Sequence, residues 1–325
     1  MCYGYDGNAA LCQSLEHRGL NRRSFLRGAL GATVAAGIGG AALANARPAE
    51  AAIPRVGSTK VVNHRISIQL YTLRSIMTNA TTTTNTLTAL EDIGYRNVEL
   101  AGLGGLTVAQ MRDLLDDLGI KASSSHDGIS ANTTAARTKI ANAKILGQDY
   151  INVPYLASTN ADDWRRWADQ MNAEAAIAKQ NRIRYGYHNH AHEFTTNLGG
   201  GLTPWQIFMD RLDPKLVHLE IDLYWVVTAG INLGVADPHQ FAIDVIDDAP
   251  LRTRQFHVKD RHGATPQTPG QQPGDMADLG TGIIDFARIF QAHKAEEYIV
   301  ENDTPDVTPL QTAEIGYNYL RGIRY

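Results

Sequence analysis

The chain has 325 residues, 43% of them hydrophobic and 20% charged, with a formal net charge of −4 at neutral pH. An acidic balance with no run of basic residues argues against a nucleic-acid binder, and the length allows one large domain with a substantial core. The two cysteines, Cys2 and Cys12, both sit at the extreme N-terminus, so neither a disulfide framework nor thiol chemistry is expected of the folded body.

Asn21-Arg22-Arg23-Ser24-Phe25-Leu26-Arg27 forms a twin-arginine signature, and residues 28–44 after it are apolar, Gly/Ala-rich and uncharged. That stretch is short and weakly apolar for a membrane span. Small residues at Ala44-Asn45-Ala46 and Ala49-Glu50-Ala51 offer cleavage sites at its end. The expectation is a signal peptide and short linker over residues 1–51, cut between Ala46 and Ala52, then one domain over 52–325. The twin-arginine translocase is the expected partner during export, the destination is the periplasm or the medium, and no stable membrane anchor is foreseen.

Beyond the linker, short β-like runs alternate with amphipathic helical stretches. The runs are 65–71, 97–100, 120–124, 150–153, 183–188, 217–222, 253–258 and 297–301, with helical patterns at 108–118, 133–146, 162–180, 285–293 and 309–321. Eight βα units in this length predict an α/β fold, a single (β/α)8 TIM barrel whose active site is built from the C-terminal ends of its strands. A doubly wound open sheet is the alternative, but no G-x-G-x-x-G follows the first strand.

The polar residues fall where such a barrel would use them. Tyr187-His188-Asn189-His190-Ala191-His192-Glu193-Phe194 places three imidazoles and a carboxylate at the end of the fifth strand. Glu220 and Asp222 end the sixth, His257 and Lys259 the seventh, Glu301 and Asp303 the eighth. Acids and imidazoles at four successive strand ends need a compensating partner. One divalent cation supplies it, with Mn, Co, Fe or Zn favoured over Mg or Ca by the nitrogen donors.

In order and spacing, Ser67-Ile68-Gln69-Leu70-Tyr71-Thr72-Leu73-Arg74, Gly94-Tyr95-Arg96-Asn97-Val98-Glu99-Leu100, Ser124-Ser125-His126, His188-Asn189-His190, Glu220-Ile221-Asp222, His257-Val258-Lys259-Asp260 and Glu301-Asn302-Asp303 resemble the xylose-isomerase-like barrels of the sugar phosphate isomerase/epimerase type. The resemblance implies metal ligands at Asp222, His257 and Glu301, with His188 where relatives often carry a glutamate. It also departs from the ketose 3-epimerases, which use two metal-bound glutamates as paired acid/base groups; here only Glu301 remains for that part.

A cation that chelates a carbonyl and a neighbouring hydroxyl acidifies the proton between them, so an isomerase or epimerase reaction on a sugar or keto-sugar is expected, with Glu301, His190 and Lys259 as candidate acid/base groups. Lys259 could instead pair with Asp260 at the surface. Glu99, His126, Gln69 and Trp225 are candidates to bind the carbohydrate, and Tyr71, Tyr155 and Tyr224 could stack on a sugar face. Elimination from a 3-keto-glycoside is the alternative outcome of the same chemistry, and a non-catalytic periplasmic sugar-binding protein the alternative of another class. An endonuclease-IV-like reading would call for a histidine three residues after Asp222, where Trp225 stands. Residues 265–278, rich in Pro, Gly and Gln, are a candidate lid.

Overall fold

The computed structural model of the protein describes residues 53–266 and 275–325. The twin-arginine segment and the middle of the candidate lid lie outside the described residues. Eight short parallel strands run in chain order: β1 Ile66–Ile68, β2 Asn97–Leu100, β3 Lys121–Ser125, β4 Tyr150–Val153, β5 Arg184–His188, β6 Val217–Asp222, β7 Thr253–Val258 and β8 Glu297–Val300. Six form a continuous sheet in the order β1-β8-β7-β6-β5-β4, and β2 pairs with β3. Single parallel bridges from Gln69 to Glu99 and from His126 to Asn152 join that pair to both edges. The ring is therefore a closed barrel and not an open doubly wound sheet.

Nine helices of seven residues or more follow the strands among the described residues: α1 Ala80–Ile93, α2 Val108–Asp117, α3 Thr133–Leu146, α4 Ala161–Gln180, α5 Pro204–Arg211, α6 Leu223–Asn232, α7 Pro238–Asp248, α8 Phe286–Ala292 and α9 Pro309–Gly322. Each starts at an Asn, Thr or Asp whose side chain accepts a hydrogen bond from the first turn. Such a cap contributes about 1 kcal/mol. No described helix is long and apolar enough to cross a membrane.

Alternation along the strands sorts the side chains. Ile66, Ile68, Val98, Leu100, Ile151, Val153, Leu219, Ile221, Phe256, Val258, Tyr298 and Val300 join the buried apolar core. Ser67, Gln69, Glu99, Asn152, His218, Glu220, Gln255 and Glu297 alternate with them and are buried too. Several bond to one another across the barrel: Asn152 Nδ2 donates to Glu220 Oε1 (2.6 Å) and Gln255 Oε1 (3.0 Å), and Gln255 Nε2 donates to Glu297 Oε2 (2.8 Å). The apolar layer thus lies between barrel and helices, and the lumen is polar, unlike the branched aliphatic filling usual for this fold. Burial brings Glu297 up to about 7 and His218 down to about 3. At Gly186 of β5 a Cβ would lie 2.3 Å from Asn152 Oδ1 and 2.5 Å from His218 Nε2, so only glycine leaves room for these groups.

The first strand is shorter than its sequence pattern. Gln69 turns its side chain back to accept from the Tyr71 amide, which ends β1 and starts a 3-10 turn at Leu70–Leu73. At the lid, Asp260–Arg261 pairs antiparallel with Met276–Ala277.

Candidate active site

Four strand ends meet at the barrel mouth. β5 delivers His188 inward, and the chain then folds into a helical turn at His192–Thr195. Buried Glu193 shapes that turn, accepting from the Tyr187 hydroxyl (2.5 Å) and the His190 amide (2.9 Å). Asn189 ties β5 to β6 by accepting from the Asp222 amide (3.0 Å). Asp222 serves two ends at once: its Oδ1 accepts from the Trp225 amide (3.0 Å) as the N-cap of α6, which leaves Oδ2 for the lumen.

His188, Asp222, His257 and Glu301 converge so that one ligand atom from each lies within 4.8 Å of the others, all four residues being buried. His188 Nε2 stands 3.8 Å from Asp222 Oδ2; the ring nitrogen has no hydrogen-bond partner, and the carboxylate oxygen also faces the Lys259 ammonium at 3.3 Å. Two metal–ligand bonds of about 2.1 Å span such a gap. Beside them His257 Nδ1 lies 3.0 Å from Glu301 Oε2. A buried imidazole nitrogen without a hydrogen-bond partner, facing a carboxylate oxygen and next to a second imidazole–carboxylate pair, fits a divalent cation.

The electrostatics follow from burial and crowding. Burial, opposed by Lys259 and reinforced by Glu301, brings the Asp222 carboxyl up to about 6. Burial also disfavours charge on Glu301, but Lys259 and His257 beside it hold it well below the usual range. His188 is pushed well down by burial and by the imidazoles of His257 and His126.

A second group overlaps the first: His126, His188, Glu220 and His257. Here the donors already meet acceptors. His126 Nε2 lies 2.7 Å from Glu220 Oε2, and His257 Nε2 lies 2.7 Å from Glu99 Oε1. Glu99 also receives Gln69 Nε2 and Ser124 Oγ, each at 2.7 Å. Glu99 and Gln69, expected to hold sugar hydroxyls, are instead sealed beneath His257 at 0% exposure, their polar atoms used inside the barrel. Burial would raise Glu99, but His126 and His257 outweigh it and bring the carboxyl down to about 2.

Lys259 is fully buried, its Nζ 2.7 Å from Glu301 Oε2, 3.2 Å from Asp303 Oδ2 and 3.3 Å from Asp222 Oδ2. The alternative surface pair with Asp260 does not form. Asp260 instead accepts from the backbone amides of Arg261, Gly280, Gly282 and Ile284 and so braces the loop before α8. His190 is 3% exposed and neither ring nitrogen has a hydrogen-bond partner; its ring packs against Trp225 (4.9 Å) and edge-on to Tyr155 (5.1 Å). Tyr71 carries the Arg74 guanidinium on its face, and Tyr224 donates to Asp275. Asn152 and Gln255 escaped the sequence reading; the available signal was a polar residue inside an otherwise apolar strand.

The family model for xylose isomerase-like TIM barrels matches residues 87–322. The chain belongs to that family. No curated protein matches this xylose isomerase-like barrel. It is similar to the crystal structure of a sugar phosphate isomerase/epimerase from Parabacteroides distasonis ATCC 8503, with 22% identity over 83% of this chain and 98% of that one, at a TM-score of 0.60. The probable 3-DHS dehydratase AsbF from Bacillus anthracis shares 12% identity over 79% of this chain and 98% of that one, at 0.56. An L-ribulose 3-epimerase shares 16% over 78% and 92%, at 0.55. At these identities the likeness is one of fold.

Proposed function

We propose that this barrel is an exported, divalent-metal-dependent enzyme that removes the carbon-bound proton beside a carbonyl of a sugar or keto-sugar and returns it to isomerise or epimerise the substrate. The observation that carries the proposal is the unpartnered His188 Nε2 facing Asp222 Oδ2, beside His257 and Glu301 at the barrel mouth. Family membership supports sugar chemistry, as do the names of two similar structures, an isomerase/epimerase and an L-ribulose 3-epimerase.

His188, Asp222, His257 and Glu301 hold the cation, and their two nitrogen and two oxygen donors suit Mn, Co, Fe or Zn. When bound, the cation supplies Lewis acidity to a carbonyl and its neighbouring hydroxyl. His190 takes the proton. Its ring is buried at the mouth with no hydrogen bond, whereas Glu301 Oε2 is engaged by His257 and Lys259. Burial, with His192 and Lys259 nearby, holds His190 well below its ordinary range and so favours the neutral ring. Lys259, within 3.3 Å of three carboxylates, faces the negative charge that develops on the substrate oxygen. Trp225 walls this space. Elimination shares the first step, and the presence of a dehydratase among the similar structures supports that outcome as the second reading.

The test is proton exchange. Metal-loaded protein mixed with free sugars and 3-keto-glycosides in deuterium oxide should wash deuterium into the carbon beside the carbonyl, and chelation should stop it. A sugar that binds without exchange would make the protein a binding protein. Export rests on the twin-arginine segment Asn21–Arg27, the apolar stretch 28–44 after it and the small-residue sites at its end. Arg22→Lys with Arg23→Lys should leave the precursor in the cytoplasm, and unchanged export of that double variant would contradict it.

A further inference from the structure

The two poles of the barrel differ in charge. Acids and imidazoles crowd the C-terminal ends of the strands, whereas cations gather where the strands begin. Arg184, Arg252 and Arg254, at the starts of β5 and β7, share the single carboxylate of Glu296 before β8, at 3.6, 2.8 and 2.5 Å, which leaves that cluster with a net positive charge. Arg65 before β1, Arg182 before β5, Lys215 before β6 and Lys294 before β8 are exposed around it. Two further cations are neutralised, Arg96 by Glu91 (2.8 Å) and Lys121 by Asp149 (2.6 Å), and Asp213 accepts from the Lys215 amide (2.8 Å). Asp92, Asp116, Asp117, Asp210, Asp247 and Asp248 also lie at this end, on the last turns of α1, α2, α5 and α7 in the outer ring of helices. A chain with a formal net charge of −4 thus has a cationic centre to its base.

Arg182 stands where the backbone calls for glycine. After α2 and α6 the turn is made by Gly119 (φ 64°) and Gly234 (φ 69°), whose amides return to Asp116 O (3.1 Å) and Ile231 O (3.0 Å). After α4 the same turn is made by Arg182 (φ 64°), its amide on Lys179 O (3.0 Å), and among the described residues no other non-glycine residue has a positive φ. A side chain in that conformation is strained relative to glycine, so the fold by itself does not favour an arginine there.

The chain also enters the barrel at this pole. Pro54 O accepts from the Arg324 amide (2.8 Å) just beyond α9, and the Val56 amide donates to Arg324 O (3.2 Å). Ile53 follows the apolar stretch 28–44 by nine residues, a reach of about 30 Å at most. A membrane that receives that stretch therefore lies within reach of the base, and the mouth is at the far pole. We propose that the base is a reversible docking surface for anionic phospholipid headgroups, contacted through Arg182, Lys215, Arg252 and Lys294, which seats the folded precursor on the membrane with its mouth turned away. The choice of a membrane rests on the export part of the function proposed above and not on the metal site. Cations spread around a ring suit a surface of separate charges better than the backbone of a polymer, and each Lys or Arg beside an anionic leaflet adds roughly fivefold in affinity.

The experiment is flotation of the full chain with vesicles of phosphatidylglycerol and phosphatidylcholine in equal parts, against vesicles of phosphatidylcholine alone. Wild type should float with the anionic vesicles, and rising salt should release it. Arg182→Gly combined with Lys215→Gln, Arg252→Gln and Lys294→Gln should weaken that binding roughly a hundredfold or more. Arg165→Gln with Arg166→Gln removes two cations near the N-terminal end of α4, at the mouth pole, and should change nothing. All forms carry the same leader, so the differences between them report the base. Arg182→Gly alone should raise the thermal midpoint while costing roughly fivefold in binding, opposite shifts that a merely structural residue would not give. No flotation of wild type, equal flotation of wild type with phosphatidylcholine alone, or undiminished binding of the combined variant overturns the proposal. So does binding of wild type to heparin without binding to the anionic vesicles, which would make the partner an anionic polymer. Vesicle binding is read without translocation, so its outcome is separate from that of the Arg22→Lys and Arg23→Lys export test.

Discussion

Asp222→Asn should yield a folded barrel that holds almost no metal and has lost roughly two to four decades of turnover. The reasoning starts from the two oxygens of Asp222. Oδ1 caps α6 through the Trp225 amide, and an asparagine carbonyl makes that bond as well as a carboxylate does. Oδ2 faces His188 Nε2 across 3.8 Å, and there the substitution puts a neutral NH2 where an anionic ligand belongs. Lewis-acid stabilisation of developing charge amounts to several kcal/mol, and about 1.4 kcal/mol is one decade of rate. Asp222→Ala should lose the metal equally and in addition give up about 1 kcal/mol of cap, visible as a lower thermal midpoint. Metal content by mass spectrometry and thermal melts of the two variants separate the roles. Full metal occupancy in Asp222→Asn would show that the ligand set is wrong.

The architecture was legible because the chain keeps its strands short and its apolar alternation regular. The expected bounds of β2, β4, β6 and β7 coincide with the observed Asn97–Leu100, Tyr150–Val153, Val217–Asp222 and Thr253–Val258. Helix α1 was harder to see, because Ala80–Ile93 opens with a run of threonines whose helix propensity is low; the Asn79 cap and the buried Leu87 and Leu90 hold it in place. Helix α6 shows no polar face because it is buried all round, against β6, β7 and α7. In the site, alternation told which residues share the lumen but not how deep each one sits or which partner it meets across the barrel. Glu99 and His257 are 158 residues apart, and only the closed ring brings Nε2 to Oε1. The same limit hid the fate of Lys259: its sequence neighbour Asp260 is turned to backbone amides, while three carboxylates from β6 and the loop after β8 surround the ammonium.

His190→Ala should keep its cation and lose deuterium exchange by a factor on the order of 10²–10⁴, the usual cost of removing a general base. Its ring contributes no hydrogen bond to the fold and touches Trp225 and Tyr155, so the substitution leaves a ring-sized gap that free imidazole can enter. Added imidazole should therefore restore part of the exchange, a rescue that a purely structural role would not produce. Glu301→Gln should behave differently: it removes an anionic ligand and the strongest partner of Lys259 at 2.7 Å, so metal content and exchange should fall together, with no response to imidazole. Lys259→Ala leaves Asp222, Glu301 and Asp303 without their shared ammonium, and with it goes the positive group that faces the developing oxyanion. Exchange in that variant should drop while imidazole again does nothing. All three are to be compared at matched metal content. Wild-type exchange in His190→Ala would hand the base to Glu301 or Lys259, according to which variant stays silent. Wild-type exchange in all three would mean that the proton leaves by a residue outside this set.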